Sequence, residues 1–597
     1  MNAITIVIAS ICILLIAYRL YGTFMMAKVL KIDESTPTPA HELEDGKDYV
    51  PTNKWVTFGH HFAAIAAAGP LVGPILAAQF GYLPGLLWLL IGAVIGGAVH
   101  DAVVLFASMK KKGKSLSEVA KDELGPVAGF CTGLAMLFII TITMAGLSMV
   151  VLNALTNNPW GTFSVGITIP IAMGVGIAYK KTGNLKLTTT IGFILLMLGV
   201  FFGPYIKDTV LGDWLTLDYQ TLAIILPIYA FFAAALPVWL LLAPRDYLSS
   251  FMKIGVFAAL IVGVFIINPK MHMPALTEFI HGGGPTIAGP VWPFISITIA
   301  CGAISGFHAF VGSGTTPKML DRWSDIKPVA FGAMLVECLV GIMALIAASA
   351  LQPADYFAIN SAPEVFKTLG MNVVHLPDLA REIGMDLEGR TGGAVTLAVG
   401  MTYIFTKIPW FDQLASYFYQ FVIMFEAVFI LTAIDSGTRV SRYLIQDFLG
   451  DIYKPLKKTD WLPGSIFASA VACFLWGYLL FSGDIGSVWA LFGVSNQLMA
   501  SIGLIIGATV ILKIADKRRY MLTALIPLAY LYVTVNYAGY WMIKNVYLNS
   551  EATGYSVLNG VLSIIMLVLG FIIIVAAFKK WLQLWNSPEL RVEKPAA

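Results

Sequence analysis

Ionisable side chains within long apolar segments are the residues of this chain whose types could support chemistry. Charged groups at membrane depth are rare, and they usually face a protein interior or an aqueous cavity, where histidine and carboxyl groups carry protons. The candidates for ion coupling are His60, His61, Asp101, Glu337 and Glu426. His100 precedes Asp101, and His308 lies in a further apolar segment. For each of these residues a structural role in helix packing is the alternative.

Hydroxyl side chains are concentrated in the segment 300–320, whose sequence is ACGAISGFHAFVGSGTTPKML. Hard cations prefer oxygen ligands. We therefore predict a Na⁺ site formed by Ser313, Thr315 and Thr316. Ser305 is a further candidate for ion coupling. The alternative is close packing of small residues, in which each hydroxyl bonds to its own helix backbone, and the sequence leaves both interpretations open.

Paired glycine and proline residues interrupt another apolar segment, 60–79, whose sequence is HHFAAIAAAGPLVGPILAAQ. Because proline lacks an amide donor and clashes with the preceding turn, the Gly-Pro steps at 69–70 and 73–74 predict a broken helix near 69–74. Discontinuous helices in transporters bind anions at half-helix N-termini and cations at unwound carbonyls. A proline-kinked packing helix is the alternative. A second break is predicted at Pro237, also at mid-span.

A membrane bundle must position these residues, because the composition excludes large soluble domains. Of the 597 residues, 58% are hydrophobic and 12% are charged, against roughly 25% charged residues in soluble proteins. A formal net charge of +3 provides no basic surface for nucleic acid. The chain lacks the motifs of zinc peptidases, serine hydrolases and P-loop ATPases, so neither an enzyme nor an ATP-driven pump is expected. The five cysteines have no metal-ligand spacing, and no cofactor is predicted.

Apolar runs of roughly 20 residues, the length that crosses a bilayer, occur about fifteen times. Continuous runs favour helices over the alternating strands of a membrane barrel, so the predicted fold class is all-α and integral to the membrane. The predicted spans lie at 3–24, 58–80, 82–108, 126–151, 163–179, 185–205, 221–243, 251–268, 290–314, 327–350, 409–434, 462–481, 487–513, 520–542 and 557–578. The run 393–406 is shorter, and a re-entrant segment is the alternative there.

Lysine and arginine clusters orient the chain, because basic residues concentrate in cytoplasmic loops. The clusters lie at 110–114, 180–181, 439–458, 513–519 and 579–580. Placing all of them in the cytoplasm puts the N-terminus outside and the C-terminus inside. An odd number of spans satisfies this arrangement.

The spans also predict how the chain is organised. In chain order we expect an extra N-terminal span (1–24), a cytoplasmic linker (25–57), a core (58–434), a cytoplasmic loop (435–461) and additional C-terminal spans (462–597). Within the core, five spans that begin at His60 and five that begin at Ala223 run in opposite directions. An inverted five-plus-five repeat of this kind is typical of secondary transporters.

Three stretches of the sequence resemble a known family of membrane proteins. They are GHHFAAIAAAGPLVGPILAAQFGYLPGLLW from Gly59, HDAVVLFASMKKKGKSL from His100 and GFHAFVGSGTTPK from Gly306. Together they resemble the carbon starvation protein A (CstA) family, through nearly the whole chain. The resemblance implies a secondary transporter of the bacterial inner membrane with a LeuT/APC-like core and extra spans on both sides of it. Members of the family are described as peptide uptake systems and as pyruvate importers driven by protons.

The expected function is import of a small carboxylate, with pyruvate as the first candidate, by symport with H⁺ or Na⁺. The predicted substrate-binding residues are Gly69, Leu71, Gly73, Pro74 and Trp239. Free amides near Gly69, Leu71 and Gly73 would bind a carboxylate at the positive end of the half-helix. A peptide also needs an acidic partner for its ammonium group, and no acidic cluster is evident in the sequence, so short peptides are the alternative. A channel is a further alternative, and the oligomeric state stays open.

Overall fold

The computed structural model describes residues 2–46, 48–236, 240–450, 453–457, 461–482, 485–549 and 554–586. These residues are predominantly helical, and β-structure among them is confined to two isolated bridges. Eleven helices are long and apolar enough to cross a membrane, or twelve if one bent pair is counted as a single span. The predicted all-α membrane fold is therefore confirmed for the described residues.

The helical segments used below are numbered in chain order. They are α1 (Ala3–Val29), α2 (Lys54–Ile65), α3 (Gly69–Phe80), α4 (Tyr82–Lys110), α5 (Leu116–Leu124), α6 (Pro126–Leu155), α7 (Pro159–Thr182), α8 (Leu185–Lys207), α9 (Tyr219–Ala235), α10 (Leu242–Ile267), α11 (Val291–Thr298), α12 (Phe307–Gly312), α13 (Trp323–Ser349), α14 (Ala394–Phe405), α15 (Ala415–Gly450), α16 (Leu462–Ser482), α17 (Ile485–Ile514), α18 (Arg518–Tyr547) and α19 (Gly554–Asn586). Shorter helices lie between them, at Pro39–Glu42, Val210–Leu215, Pro353–Asn360, Pro363–Thr368 and Leu376–Ile383.

The predicted count of about fifteen spans is not confirmed, because apolar runs of the expected length do not all form long continuous helices. The span predicted at 221–243 corresponds to α9, which ends at Ala235, and the span predicted at 251–268 lies almost entirely within α10. The span predicted at 290–314 is divided into α11 and α12, with residues 299–306 outside any helix. The run 393–406 forms α14, a buried helix of 12 residues that is too short to cross a bilayer.

The inverted five-plus-five repeat remains a prediction. Its second half is predicted to open with the break at Pro237, and this residue lies outside the described residues. Trp239, one of the predicted substrate-binding residues, lies outside them as well.

Residues 435–450, which are predicted to belong to a cytoplasmic loop at 435–461, form the last part of α15, and their cytoplasmic position remains a prediction. This part of α15 packs against the end of α9. Arg439 donates to the carbonyl oxygens of Ala233 at 3.1 Å and Leu236 at 2.8 Å. The last carbonyls of a helix need such donors. Arg439, which belongs to a basic cluster that is predicted to be cytoplasmic, therefore caps the C-terminal end of α9.

Basic clusters that are predicted to be cytoplasmic meet at one end of the bundle. The carboxylate of Glu123 contacts Lys111 at 3.0 Å and Lys513 at 2.5 Å. Lys112 contacts Glu42 of the linker at 2.5 Å. The linker, the turn after α4 and the end of α17 therefore share one face, as the positive-inside prediction requires. The side of the membrane on which this face lies remains a prediction.

Candidate functional site

The first interruption separates α2 from α3, which meet at a bend of 46°. Residues 66–68 lie between the two helices, and Ala66 leaves the helical conformation with a ψ of 54°. The ring of Pro70 would clash with the carbonyl group four positions earlier, which belongs to Ala66. Pro70 itself lies in the first turn of α3, where no amide donor is needed. The break therefore precedes the predicted position, 69–74, by a few residues.

One amide that is predicted to be free at this break is bonded. The carbonyl oxygen of Ala68 accepts the amides of Leu71 and Val72, each at 3.0 Å. Leu71 is also fully buried. The amide of Leu71 is therefore paired within the first turn of α3, and the substrate-binding role of Leu71 remains a prediction.

α3 packs directly against the second interrupted span. A Cβ atom added at Gly73 would lie 2.5 Å from the carbonyl oxygen of Thr298, and one added at Gly69 would lie 2.4 Å from Cys301 Sγ. Both glycines and Pro74 are buried. Gly73 therefore allows two backbones to meet at a distance that no other residue permits, and Gly69 leaves room for the side chain of Cys301. The substrate-binding role of Gly69, Gly73 and Pro74 remains a prediction.

The second interruption consists of residues 299–306, between α11 and α12. Gly302 has a φ of +85°, in the left-handed region that favours glycine. Its amide donates to Glu337 Oε1 at 3.1 Å. Gly302 and Gly306 are the signal that indicates this break in the sequence. No proline accompanies them, and the hydropathy pattern that predicts a span at 290–314 does not show the division into α11 and α12.

Asn496 of α17 bridges the second interruption, and no pattern in the sequence indicates it. Its Oδ1 accepts the amide of Phe307 at 2.8 Å. Its Nδ2 donates to Ser305 Oγ at 3.1 Å and to Cys301 Sγ at 3.3 Å. Its carbonyl oxygen accepts the amide of Gly306 at 3.1 Å. Ser305, a predicted ion-coupling residue, therefore belongs to a network that the C-terminal spans complete.

Four buried histidine and carboxyl groups, which we name the His–acid chain, connect α4, α12 and α13. The chain consists of His100, Asp101, His308 and Glu337. Asp101 Oδ1 lies 2.8 Å from His100 Nδ1, and Asp101 Oδ2 lies 2.8 Å from His308 Nδ1. His308 Nε2 lies 3.1 Å from Glu337 Oε2, but these two atoms are not aligned as a hydrogen bond.

His308 lies between two carboxyl groups, with one at each ring nitrogen. Such a ring can accept a proton at one nitrogen and release it from the other. Asp101 and Glu337, which are predicted separately as coupling residues, therefore belong to one cluster. The fold assembles this cluster from three helices.

His60 and His61 connect α2 to the segment that follows α12. His61 Nδ1 lies 2.8 Å from Thr316 Oγ1, and His60 Nε2 lies 3.1 Å from Thr315 Oγ1. The hydroxyl of Ser313 donates to a carbonyl of α12 at 2.6 Å and accepts an amide of α5 at 3.2 Å. Protein groups therefore engage all three hydroxyls of the predicted Na⁺ site, and Na⁺ binding there remains a prediction.

Glu426 of α15 is buried, and no described hydrogen bond joins it to the His–acid chain. Neither of its carboxyl oxygens has a hydrogen-bond partner within the described ranges. A buried polar group without a partner is destabilising. The predicted role of Glu426 in ion coupling remains a prediction.

The sequence is similar to known membrane proteins over most of its length. A sequence model of the family described as carbon starvation protein CstA matches residues 2–538. The chain is 84% identical to the peptide transporter CstA of Bacillus subtilis, with 99% of each chain covered. It is 40% identical to the pyruvate/proton symporter BtsT of Escherichia coli, with 98% of this chain and 92% of that protein covered.

A solved structure of a manganese transporter from Eremococcus coleocola aligns with the chain at a TM-score of 0.45 and 12% sequence identity. The alignment covers 93% of this chain and 99% of that chain. This likeness is too distant to carry an argument about the site.

Proposed function

The chain belongs to the carbon starvation protein CstA family, and from this premise we propose that it is a secondary active transporter. The proposed substrate is a small organic molecule with a carboxylate group, imported across the bacterial inner membrane together with a cation. Relatives that match nearly the whole chain are named as transporters. The observation that carries the proposal is the packing of two interrupted spans beside the buried His–acid chain.

Interrupted spans provide binding groups at membrane depth, because their unwound turns expose amides and carbonyls that a continuous helix would use internally. Here the two interrupted spans meet at Gly73 of α3, where no side chain separates the backbones. Buried ionisable groups at this depth usually belong to an ion pathway. Substrate and ion sites at one crossing would allow the movement of one to depend on the other.

The two ends of the first interrupted span are held by different partners. Tyr356 donates to the carbonyl oxygens of Ile75 at 2.8 Å and Leu76 at 3.0 Å, near the end of α3. The contacts of His60 and His61 hold the opposite half, α2. Alternating access requires that such contacts open on one side while those on the other side stay closed. Two separate sets of polar contacts on one broken span support that form of transport.

The proposed coupling ion is the proton. The His–acid chain contains groups that gain and lose protons, and His308 is in contact with carboxyl groups at both ring nitrogens. The hydroxyls of the predicted Na⁺ site are engaged by protein groups instead. The name of the 40% identical relative, a pyruvate/proton symporter, also supports proton coupling.

Pyruvate and short peptides are both candidate substrates. Pyruvate has support from the name of one relative, whereas the relative at 84% identity is named a peptide transporter. The structure also weakens the argument against peptides, because the fold brings Asp101 and Glu337 together at His308. An acidic cluster of this kind could receive the ammonium group of a peptide. The peptide alternative therefore rests on a specific observation as well as on a name.

Uptake into proteoliposomes tests the proposal. Labelled pyruvate and a labelled dipeptide are offered separately, under an inward proton gradient, an inward Na⁺ gradient or no gradient. A gradient of one pH unit represents about 1.4 kcal/mol, which supports about tenfold accumulation if one proton accompanies one substrate. We expect accumulation under the proton gradient that a proton-conducting uncoupler abolishes.

Each substrate serves as the control for the other, and protein-free liposomes give the leak. Accumulation driven by Na⁺ alone would contradict proton coupling and favour the predicted hydroxyl site. No accumulation of either substrate under any gradient would contradict the transport proposal. Unitary currents in a planar bilayer would indicate a channel, because transporter turnover is too slow to produce them.

Replacing Thr316 by valine is expected to lower the initial uptake rate about tenfold and to weaken its dependence on the ion gradient, with little loss of folded protein. The change removes the hydroxyl that contacts His61 Nδ1, and His61 Nε2 has no hydrogen-bond partner in the described part of the chain. The control is Thr432→Val, because that hydroxyl bonds to a carbonyl of its own helix. An equal loss of uptake in the two variants would contradict a specific role for Thr316.

A further inference from the structure

Asn496 belongs to the C-terminal spans, yet its side chain bonds within the second interruption. The residue is fully buried on α17. A polar residue that merely fills a helical core commonly bonds to the backbone of its own helix. Ser501 and Thr509 of α17 follow that pattern. Asn496 instead directs both its acceptor and its donor to another segment of the chain.

The two ends of the Asn496 amide hold different parts of the interruption. Its Oδ1 and its backbone carbonyl accept the amides of Phe307 and Gly306, at the start of α12. The first amides of a helix have no partner inside the helix and need an acceptor from outside. Its Nδ2 donates to Ser305 and Cys301, in the unwound turn. One side chain therefore holds the unwound turn and the first turn of α12 in a fixed relation.

α17 also meets both sides of the interruption at backbone distance. A Cβ atom added at Gly493 would lie 2.2 Å from the carbonyl oxygen of Ile297, at the end of α11. One added at Gly306 would lie 2.2 Å from a carbonyl oxygen of α17. Further along α17, a Cβ atom at Gly503 would lie 2.4 Å from His100 Nε2. The same helix therefore supports the interruption and the His–acid chain.

We propose that Asn496 is a positioning residue of the transport site, which keeps residues 301–306 unwound so that the amide of Gly302 faces Glu337. The inference rests on the proposed transport function. It assigns α17 to the transport machinery and not to an accessory set of C-terminal spans. Without the Asn496 side chain, the amide of Phe307 loses its acceptor, the unwound turn loses its donor, and the interruption opens more often.

Alkylation of Cys301 measures opening of the interruption and requires no transport. Cys301 is 5% exposed, and its sulfur accepts from Asn496. The parent for this test is the full-length chain with alanine at the other four cysteines, Cys12, Cys131, Cys338 and Cys473. Asn496→Ala is expected to accelerate labelling by N-ethylmaleimide about tenfold or more. The change removes the side-chain bonds to Phe307, Ser305 and Cys301, and losing one buried hydrogen bond already has an effect of this size.

Ser501→Ala is the matched control, because it removes a buried hydroxyl from α17 without touching the interruption. Asn496→Asp is a second variant that keeps the oxygen acceptor and loses the donor, so intermediate labelling is expected even if the alanine variant folds poorly. In uptake assays, Asn496→Ala is expected to raise the KM about tenfold, whereas Ser501→Ala leaves the KM unchanged.

Equal labelling rates in the parent and in both Asn496 variants would overturn the proposal. Equally fast labelling of Ser501→Ala would overturn it too, because the effect would then be a general loosening of α17. The uptake assay detects failure of the proposed function independently of the labelling rates. If the parent transports neither pyruvate nor peptides, the transport function falls, and a specific labelling change still establishes that Asn496 holds the interruption.

Discussion

Uptake by the Asp101→Asn variant is expected to fall by about a hundredfold or more, close to the level of empty vesicles. Asp101 is buried, and each of its oxygens contacts one histidine, His100 or His308. Asparagine keeps the shape of the side chain but has one acceptor and one donor, so it cannot accept from both rings. Removing one member of a buried ion pair costs about 3–5 kcal/mol. The same amount added to the barrier of the transport cycle lowers the rate by a factor of roughly 10² to 5 × 10³.

Initial rates in proteoliposomes, normalised to the amount of inserted protein, check this expectation. Asp516→Asn is the matched control, because Asp516 pairs with Lys31 in water, where its side chain is 69% exposed. An exposed pair contributes little, so the control is expected to retain the parental rate. Gel filtration of both variants separates a loss of transport from a loss of fold. Uptake by Asp101→Asn at the parental rate would remove the His–acid chain from the mechanism.

Gly73→Ala is expected to destabilise the protein and to abolish transport, although it adds a single methyl group. That carbon would lie 2.5 Å from the carbonyl oxygen of Thr298 and 3.2 Å from the Cα of Ile299. Both neighbours are backbone atoms, which cannot rotate away as a side chain can. Overpacking of this kind typically costs about 1–3 kcal/mol. The two interrupted spans would have to move apart where they cross, and the proposed site between them would be disrupted.

Gly59→Ala is the control on the other half of the same broken span. Gly59 is exposed within α2, and an added Cβ atom would have no neighbour within 4 Å. Alanine in a helix interior is favoured over glycine by about 0.5–1 kcal/mol, so this variant is expected to unfold at an equal or higher temperature. Thermal unfolding in detergent and uptake in proteoliposomes are measured for both. Similar behaviour of the two variants would contradict the tight crossing at Gly73.

The sequence by itself determined the properties that depend on composition and on neighbouring residues. A chain with 58% hydrophobic and 12% charged residues has to bury its surface in lipid, and backbone groups in lipid have to bond within helices. The first interruption could also be predicted from the sequence, because the clash between Pro70 and Ala66 involves residues only four positions apart. Its position was predicted a few residues too late, since proline breaks the turn before it and fits the first turn after it.

Only the tertiary structure decided which distant groups meet. The second interruption depends on a left-handed glycine and on Glu337, which lies 35 residues along the chain from Gly302. His308 contacts Asp101 across 207 residues, and Asn496 contacts Phe307 across 189. Hydropathy and spacing report the depth and local shape of each helix, but a hydrogen bond between two helices depends on their relative rotation and height. The coupling candidates could therefore be found one by one in the sequence, whereas their union in one chain, and the role of α17 beside it, required the packed bundle.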